Sequence, residues 1–297
     1  MLRIKTISAC AVLVLCMPIW ALAKNAAIEP QPLAITGAIT HVYKSIDGAE
    51  LRLHVFNPPN HHASVKRAAI VFFFGGAWTY GSVEKFVPQS IHLAQRGMVA
   101  IVADYRVFDR QRTSPFEAMA DAKSAIRWIR SHAAELGIDP HRIAAGGGSA
   151  GGHIALSSAM FEKFDDPKDD KKISSKPDAL VLFNPAIDTT HERNKERFGD
   201  RGREASPIHH LHGGLPPMII LHGKADRAVP YAEVEKFCAE ARQLGNHCEL
   251  VGYEGATHGF FSPHHKHAQW YWETLLEVDR FLTKIGFLPE APPPHLL

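Results

Sequence analysis

Residues 142–156 read Arg142-Ile143-Ala144-Ala145-Gly146-Gly147-Gly148-Ser149-Ala150-Gly151-Gly152-His153-Ile154-Ala155-Leu156. Arg142–Ala145 has the composition of a strand and His153–Leu156 that of a helix. The five residues between them, Gly147–Gly151, match G-x-S-x-G. A strand that turns this tightly into a helix strains the backbone at the serine and lifts its Oγ above the sheet edge. The turn brings two chain segments close together, which is why small residues surround Ser149. The first turn of the helix also directs N–H groups and a partial positive charge at any carbonyl the serine attacks.

A nucleophilic serine needs a base, and the base needs a carboxylate to orient it. In a strand-turn-helix setting these follow in the order Ser, Asp or Glu, His, each just after a strand. Asp226 comes after the apolar run Met218–Leu221 in His222-Gly223-Lys224-Ala225-Asp226, and His258 comes after Cys248–Gly252 in Ala256-Thr257-His258-Gly259-Phe260. Asp226 also reads as an N-cap ahead of Val229-Pro230, and His258 is one of 19 histidines. Residue type, order and strand-end position together select Ser149, Asp226 and His258. The oxyanion donors are expected to be the Ala150 N–H and the Gly76 and Ala77 N–H groups of Phe74-Gly75-Gly76-Ala77-Trp78.

Outward from this centre the chain alternates strands and helices. Ile39–Ser45 and Leu51–Phe56 read as a hairpin turned at Asp47-Gly48. Ala68–Phe74 and Val99–Ala103 are apolar enough to be strands buried on both faces. Helices are expected over Val83–Arg96, Pro115–Leu136, Tyr231–Leu244 and Ala268–Thr283. The fold class is α/β: an eight-stranded, mostly parallel, doubly wound sheet with an N-terminal antiparallel hairpin and no large cap domain. Ile187–Pro207 is a charged segment too short for such a cap, and the run Asp165–Lys172 reads as a solvated loop.

Residues 1–23 read as a signal peptide: Arg3 and Lys5, an apolar run over Ile7–Trp20, then Ala21-Leu22-Ala23 as the cleavage site. Residues 24–38 read as a linker or extended arm and 39–290 as the catalytic domain. Losing Arg3 and Lys5 leaves 31 basic residues against 31 acidic ones. That balance points to neither nucleic acid nor, after cleavage, a membrane surface as partner. Cys238 and Cys248 then remain, an even pair in an oxidising compartment, and are expected to form a structural disulfide, with two buried thiols as the alternative.

The chain resembles secreted α/β-hydrolases of the esterase/lipase superfamily, in particular the group of acetyl xylan and feruloyl esterase-like carbohydrate esterases. The resemblance rests on Phe72–Trp78 with Gly81-Ser82, Ala103-Asp104-Tyr105-Arg106, Asp121–Ala125, Gly147–His153, His222–Asp226 and His258–Phe261, and spans about residues 40–285. It implies an α/β-hydrolase fold, serine ester hydrolysis through an acyl-enzyme, no cofactor and no metal. The implied substrates are short-acyl esters, small-molecule or polysaccharide, with deacetylation of plant polysaccharide foremost. A general carboxylesterase or feruloyl esterase, and a catalytically impaired binding protein, are the alternatives.

Many relatives begin the oxyanion motif with histidine, where this chain has Phe74. The loop is therefore expected to be held by apolar packing. Trp78 and Phe260 flank the oxyanion and histidine loops and are candidates for stacking on substrate, with core packing as the alternative reading. Asp104 and Arg106 read as an internal pair fixing loops beneath the oxyanion turn. The histidines of 209–212 and 264–267 lack a zinc-binding pattern.

Overall fold

A computed structural model describes residues 30–290. The proposed signal peptide and residues 24–29 lie outside the described residues. Eight strands form one sheet: β1 Ile39–Ile46, β2 Ala49–Phe56, β3 Arg67–Phe73, β4 Val99–Ala103, β5 Ile138–Gly148, β6 Ala179–Phe183, β7 Met218–Gly223 and β8 Cys248–Tyr253. Their spatial order is β1-β2-β4-β3-β5-β6-β7-β8. β1 pairs antiparallel with β2, and β2 with β4, while every later pairing is parallel. This is the α/β-hydrolase arrangement. Asp47 and Gly48 turn the hairpin with φ of 52° and 76°, the left-handed pair that a two-residue turn between twisted strands requires.

β4 and β6 are buried along their whole length, and β3 everywhere except Arg67. Helices cover both faces, as parallel strands demand. They are α1 Val87–Gln95, α2 Phe108–Gln111, α3 Pro115–Ser131, α4 Ala150–Met160, α5 Lys195–Phe198, α6 Tyr231–Gln243 and α7 Gln269–Lys284. The expected helix from Val83 begins instead as a 3-10 turn over Val83–Phe86, because Pro88 fits only the first turn of the α-helix that follows. α3 starts with a capping box: the Ser114 hydroxyl accepts from the Phe116 N–H, and the Glu117 carboxylate accepts from the Ser114 N–H. Buried on all sides, α4 has no polar face. It stacks directly behind the serine turn. None of the described helices is long and apolar enough to cross a membrane.

Cys238 on α6 and Cys248 at the start of β8 are bridged, with Cα atoms 5.7 Å apart. The Asp165–Lys172 segment departs from its reading as a solvated loop. Asp165 pairs with Lys123 at 3.0 Å and Arg127 at 2.7 Å, Asp166 with Lys44 at 2.7 Å, and Asp169 with Arg127 at 2.9 Å. Cations from β1 and α3 converge there and dock the loop. Gln31, at the start of the described chain, donates to the Gly81 carbonyl at 2.6 Å and accepts from the Val83 N–H at 3.0 Å, so this part of the arm lies against the loop after β3.

Candidate active site

Ser149 sits between β5 and α4 with φ 55° and ψ −118°, a conformation rare for a residue with a side chain. Bonds to its backbone hold it there. The Ser149 N–H donates to the Phe183 carbonyl at 3.0 Å, and its own carbonyl accepts from the His153 and Ala186 N–H groups. The glycines that flank it are sterically required: a Cβ on Gly151 would lie 2.0 Å from the Phe73 carbonyl oxygen, and one on Gly147 2.5 Å from the same atom.

Asp226 and His258 reach this serine from the ends of β7 and β8. His258 Nε2 lies 2.9 Å from Ser149 Oγ, and His258 Nδ1 lies 2.7 Å from Asp226 Oδ2. The other carboxylate oxygen of Asp226 accepts from the Ala228 and Val229 N–H groups at 2.8 and 2.9 Å. One carboxylate oxygen thus ties the turn to Val229 and the other holds the imidazole; Asp226 is not a helix N-cap, because α6 begins after Pro230 with no side-chain capping bond. Burial pushes the Asp226 carboxyl upward, but the bonds from His258 and Val229 outweigh it and leave its pKa below the ordinary value. His222, buried near the end of β7, donates from Nε2 to the Val229 carbonyl at 2.9 Å and stands 3.5 Å from Asp226 Oδ2. Burial lowers its pKa, so it braces this loop as a neutral ring.

The loop after β3 faces the serine. Gly76, Ala77 and Trp78 have φ of 141°, 52° and 59°. A Cβ on Gly76 would fall 1.9 Å from the Tyr80 carbonyl oxygen. Ala150 opens α4, so its N–H has no intrahelical acceptor. Lys85 Nζ donates to the Gly75 carbonyl at 3.2 Å, across the same peptide unit that carries the Gly76 N–H. Partial burial lowers the Lys85 pKa. Phe74 stacks on Tyr105 with ring centroids 4.1 Å apart, and the Tyr105 hydroxyl donates to the Phe74 carbonyl at 2.6 Å. Apolar stacking and one hydroxyl therefore brace this position without a histidine.

Trp78 is 4% exposed and packs edge-on against His153 and Phe198. Its indole N–H donates to His153 Nδ1 at 3.3 Å, and His153 Nε2 donates to the Ala205 carbonyl at 2.8 Å. Burial holds the His153 pKa down at about 4, against the bond to Ala205, so the ring is neutral near pH 7.

Ser149 and His258 open into a cavity of about 650 Å³ that Trp78 borders with one edge. Phe260, the other stacking candidate, is fully buried against Tyr253, Phe261 and Trp270, and its neighbour Phe261 lines the cavity in its place. The left-handed Gly259 turn sends Phe260 into the core. Asp104 and Arg106 do not pair with each other. Arg106 binds Asp121 at 2.8 Å, and Asp104 is met by Arg110 at 3.1 Å, because α2 carries Arg110 back over the loop. The segment after β6 runs into short helical turns from Glu192 to His209, and its Ile187, Asp188 and Arg193 wall the cavity. Arg197 ties that segment to the oxyanion-side loop through Thr79 Oγ1 at 3.2 Å. Among the described residues, no three His, Cys, Asp or Glu side chains are grouped as a metal ion would need. Sequence reasoning missed Lys85 and Asn184, both cavity-lining; Asn184-Pro185 carries only the signal of a turn.

A family model described as BD-FAE matches residues 53–240. The chain belongs to the BD-FAE family. Its relatives in sequence and structure are named esterases, and this BD-FAE chain shares their α/β-hydrolase fold. A Mycobacterium tuberculosis protein named probable carboxylic ester hydrolase LipM is 31% identical over 196 residues, which cover 57% of this chain and 44% of LipM. Esterase LipC of the same organism is 28% identical over 222 residues, covering 64% of this chain and 52% of its own. The chain spans about half the length of these curated relatives. Esterase 2 of Thermogutta terrifontis, solved phosphorylated by paraoxon, is 46% identical with a TM-score of 0.83, covering 86% of this chain and 97% of that one. The same esterase has been solved with propionate and with butyrate bound.

Proposed function

We propose that the protein is a serine carboxylic-ester hydrolase acting on short-acyl esters. The observation that carries this reading is the single imidazole of His258, 2.9 Å from Ser149 Oγ on one side and 2.7 Å from Asp226 on the other. Ser149 Oγ attacks the ester carbonyl carbon while His258 Nε2 takes the hydroxyl proton. The carbonyl oxygen, now an anion, is held by the N–H groups of Ala150, Gly76 and Ala77. The C–O bond to the alcohol breaks, and His258 returns the proton to the leaving oxygen. Water then attacks the acyl-enzyme with His258 again as base, releasing the acid and restoring Ser149. Asp226 fixes the imidazole tautomer with Nδ1 protonated and stabilises the charged ring.

Propionate and butyrate bound to the Thermogutta terrifontis esterase support short acyl groups here. Acetylated plant polysaccharide is a second reading of the alcohol side. It is supported by Tyr80, 57% exposed on the cavity wall, which offers an aromatic face to a sugar ring. A feruloyl ester is a further substrate class within the same mechanism. The Cys238–Cys248 bridge supports export, with residues 1–23 removed and 39–290 forming the catalytic domain.

The test is acid release by the mature protein and its Ser149→Ala variant from acetylated xylan, p-nitrophenyl acetate, butyrate and octanoate, and methyl ferulate. Serine-dependent release from acetate and butyrate esters is the expected result. Release from the polymer at comparable kcat/KM would establish the polysaccharide reading. An inert wild-type protein would favour a binding role.

A further inference from the structure

We propose that Asn184 is a positioning residue that sets the His258 loop relative to Ser149. Three bonds converge on the last turn of chain at the end of β6. The Phe183 carbonyl accepts from the Ser149 N–H at 3.0 Å, fixing the nucleophile. The Asn184 N–H donates to the Leu221 carbonyl at 2.9 Å on β7, the strand that leads to Asp226. Asn184 Oδ1 accepts from the Gly259 N–H at 3.1 Å, one residue beyond His258. Phe183, the last residue of β6, and Asn184 directly after it therefore tie down the elements that carry all three members of the proposed triad.

Asn184 holds this place against its own stability. It is fully buried and lines the catalytic cavity. Its φ is 35°, in the left-handed region where asparagine is tolerated better than most side chains. Its Nδ2 is buried with no acceptor among the described residues. A buried orphan donor and a left-handed backbone both cost free energy, and leucine in such a site would remove the first cost. Among the described residues, the one bond the side chain makes is the bond to Gly259. A base displaced by an ångström loses alignment with the serine, an effect that reaches about 10²-fold in rate.

The experiment measures kcat, KM and the thermal midpoint of N184L and N184D on p-nitrophenyl acetate. N184L removes both the acceptor and the orphan donor. It is expected to lower kcat by about tenfold or more, with KM within about twofold, and to lower the thermal midpoint modestly, since leucine tolerates the left-handed backbone less well than asparagine and leaves the Gly259 N–H unpaired. N184D keeps an oxygen facing the Gly259 N–H and is expected to stay within about fivefold of wild-type kcat. The role is overturned if N184L turns over like wild type, or if N184D is as impaired as N184L. If N184L does not fold, N184D decides alone by the same threshold. The proposal rests on Ser149, Asp226 and His258 as the catalytic triad. A fully active Ser149→Ala would remove that reading, whereas an active N184L beside an inactive Ser149→Ala would remove only the role of Asn184.

Discussion

The Trp78 indole N–H donates to His153 Nδ1 across 3.3 Å, joining the loop after β3 to the helix that follows Ser149. Trp78 is the next residue after Ala77, so the bond locates the backbone proposed to hold the oxyanion. Trp78→Phe keeps part of the ring packing but loses this bond. It should lower kcat by about tenfold, below the 10²–10³ cost of deleting an oxyanion donor outright, with little change in KM. Steady-state kinetics on a short-acyl ester checks this.

His153 also makes stability depend on pH. Its pKa falls from 6.5 in the unfolded chain to about 4 in the fold. The unfolded state therefore binds more protons between those values, and stability falls as pH drops from 6.5 towards 4, by roughly 3 kcal/mol for this group. Buried His54, pushed down to about 4 chiefly by burial and then by Arg52, acts in the same direction. Urea unfolding at pH 7.5, 6 and 5 should show this slope in the wild type and a shallower one in His153→Gln.

Asp226→Asn keeps the shape of the site but donates where the imidazole Nδ1–H must donate. The His258 ring is then held in the wrong tautomer, and kcat should fall about 10⁴-fold. A loss of less than tenfold would show that the carboxylate only caps the turn to Val229.

The Cys238–Cys248 bridge closes a loop of sequence separation 10 between α6 and β8. Replacing both cysteines with alanine should cost about 3 kcal/mol of stability by the chain-entropy argument. Neither cysteine borders the catalytic cavity, so kcat at 25 °C should stay within about twofold of wild type. Chemical unfolding and kinetics on the double variant separate the two effects.

Much of the fold is legible in the sequence because it is written locally. The apolar runs of β3, β4 and β6 announce strands buried on both faces, and Ser114-Pro115 marks the start of α3 through capping chemistry. The three proposed triad residues could be found because each follows a strand. What stayed hidden depends on contacts between distant segments. Nothing near Asp165 and Asp166 shows that Lys123 and Arg127 converge on the first and Lys44 on the second. Nothing near Asp104 shows that α2 returns Arg110 to it. Phe260 and Phe261 are neighbours in a loop, where no periodicity tells which one enters the core. Asn184 carries only the signal of a turn, and its bond to Gly259 spans 75 residues.

The central claim is that Ser149 is the nucleophile. Peptide mass spectrometry after incubation with paraoxon, alongside residual turnover of p-nitrophenyl acetate, tests it most directly. The account predicts one diethylphosphoryl group per chain, carried on Ser149, with turnover lost in proportion to labelling and no label in Ser149→Ala. Turnover that survives unlabelled, or a label on another residue that abolishes it, would contradict the account.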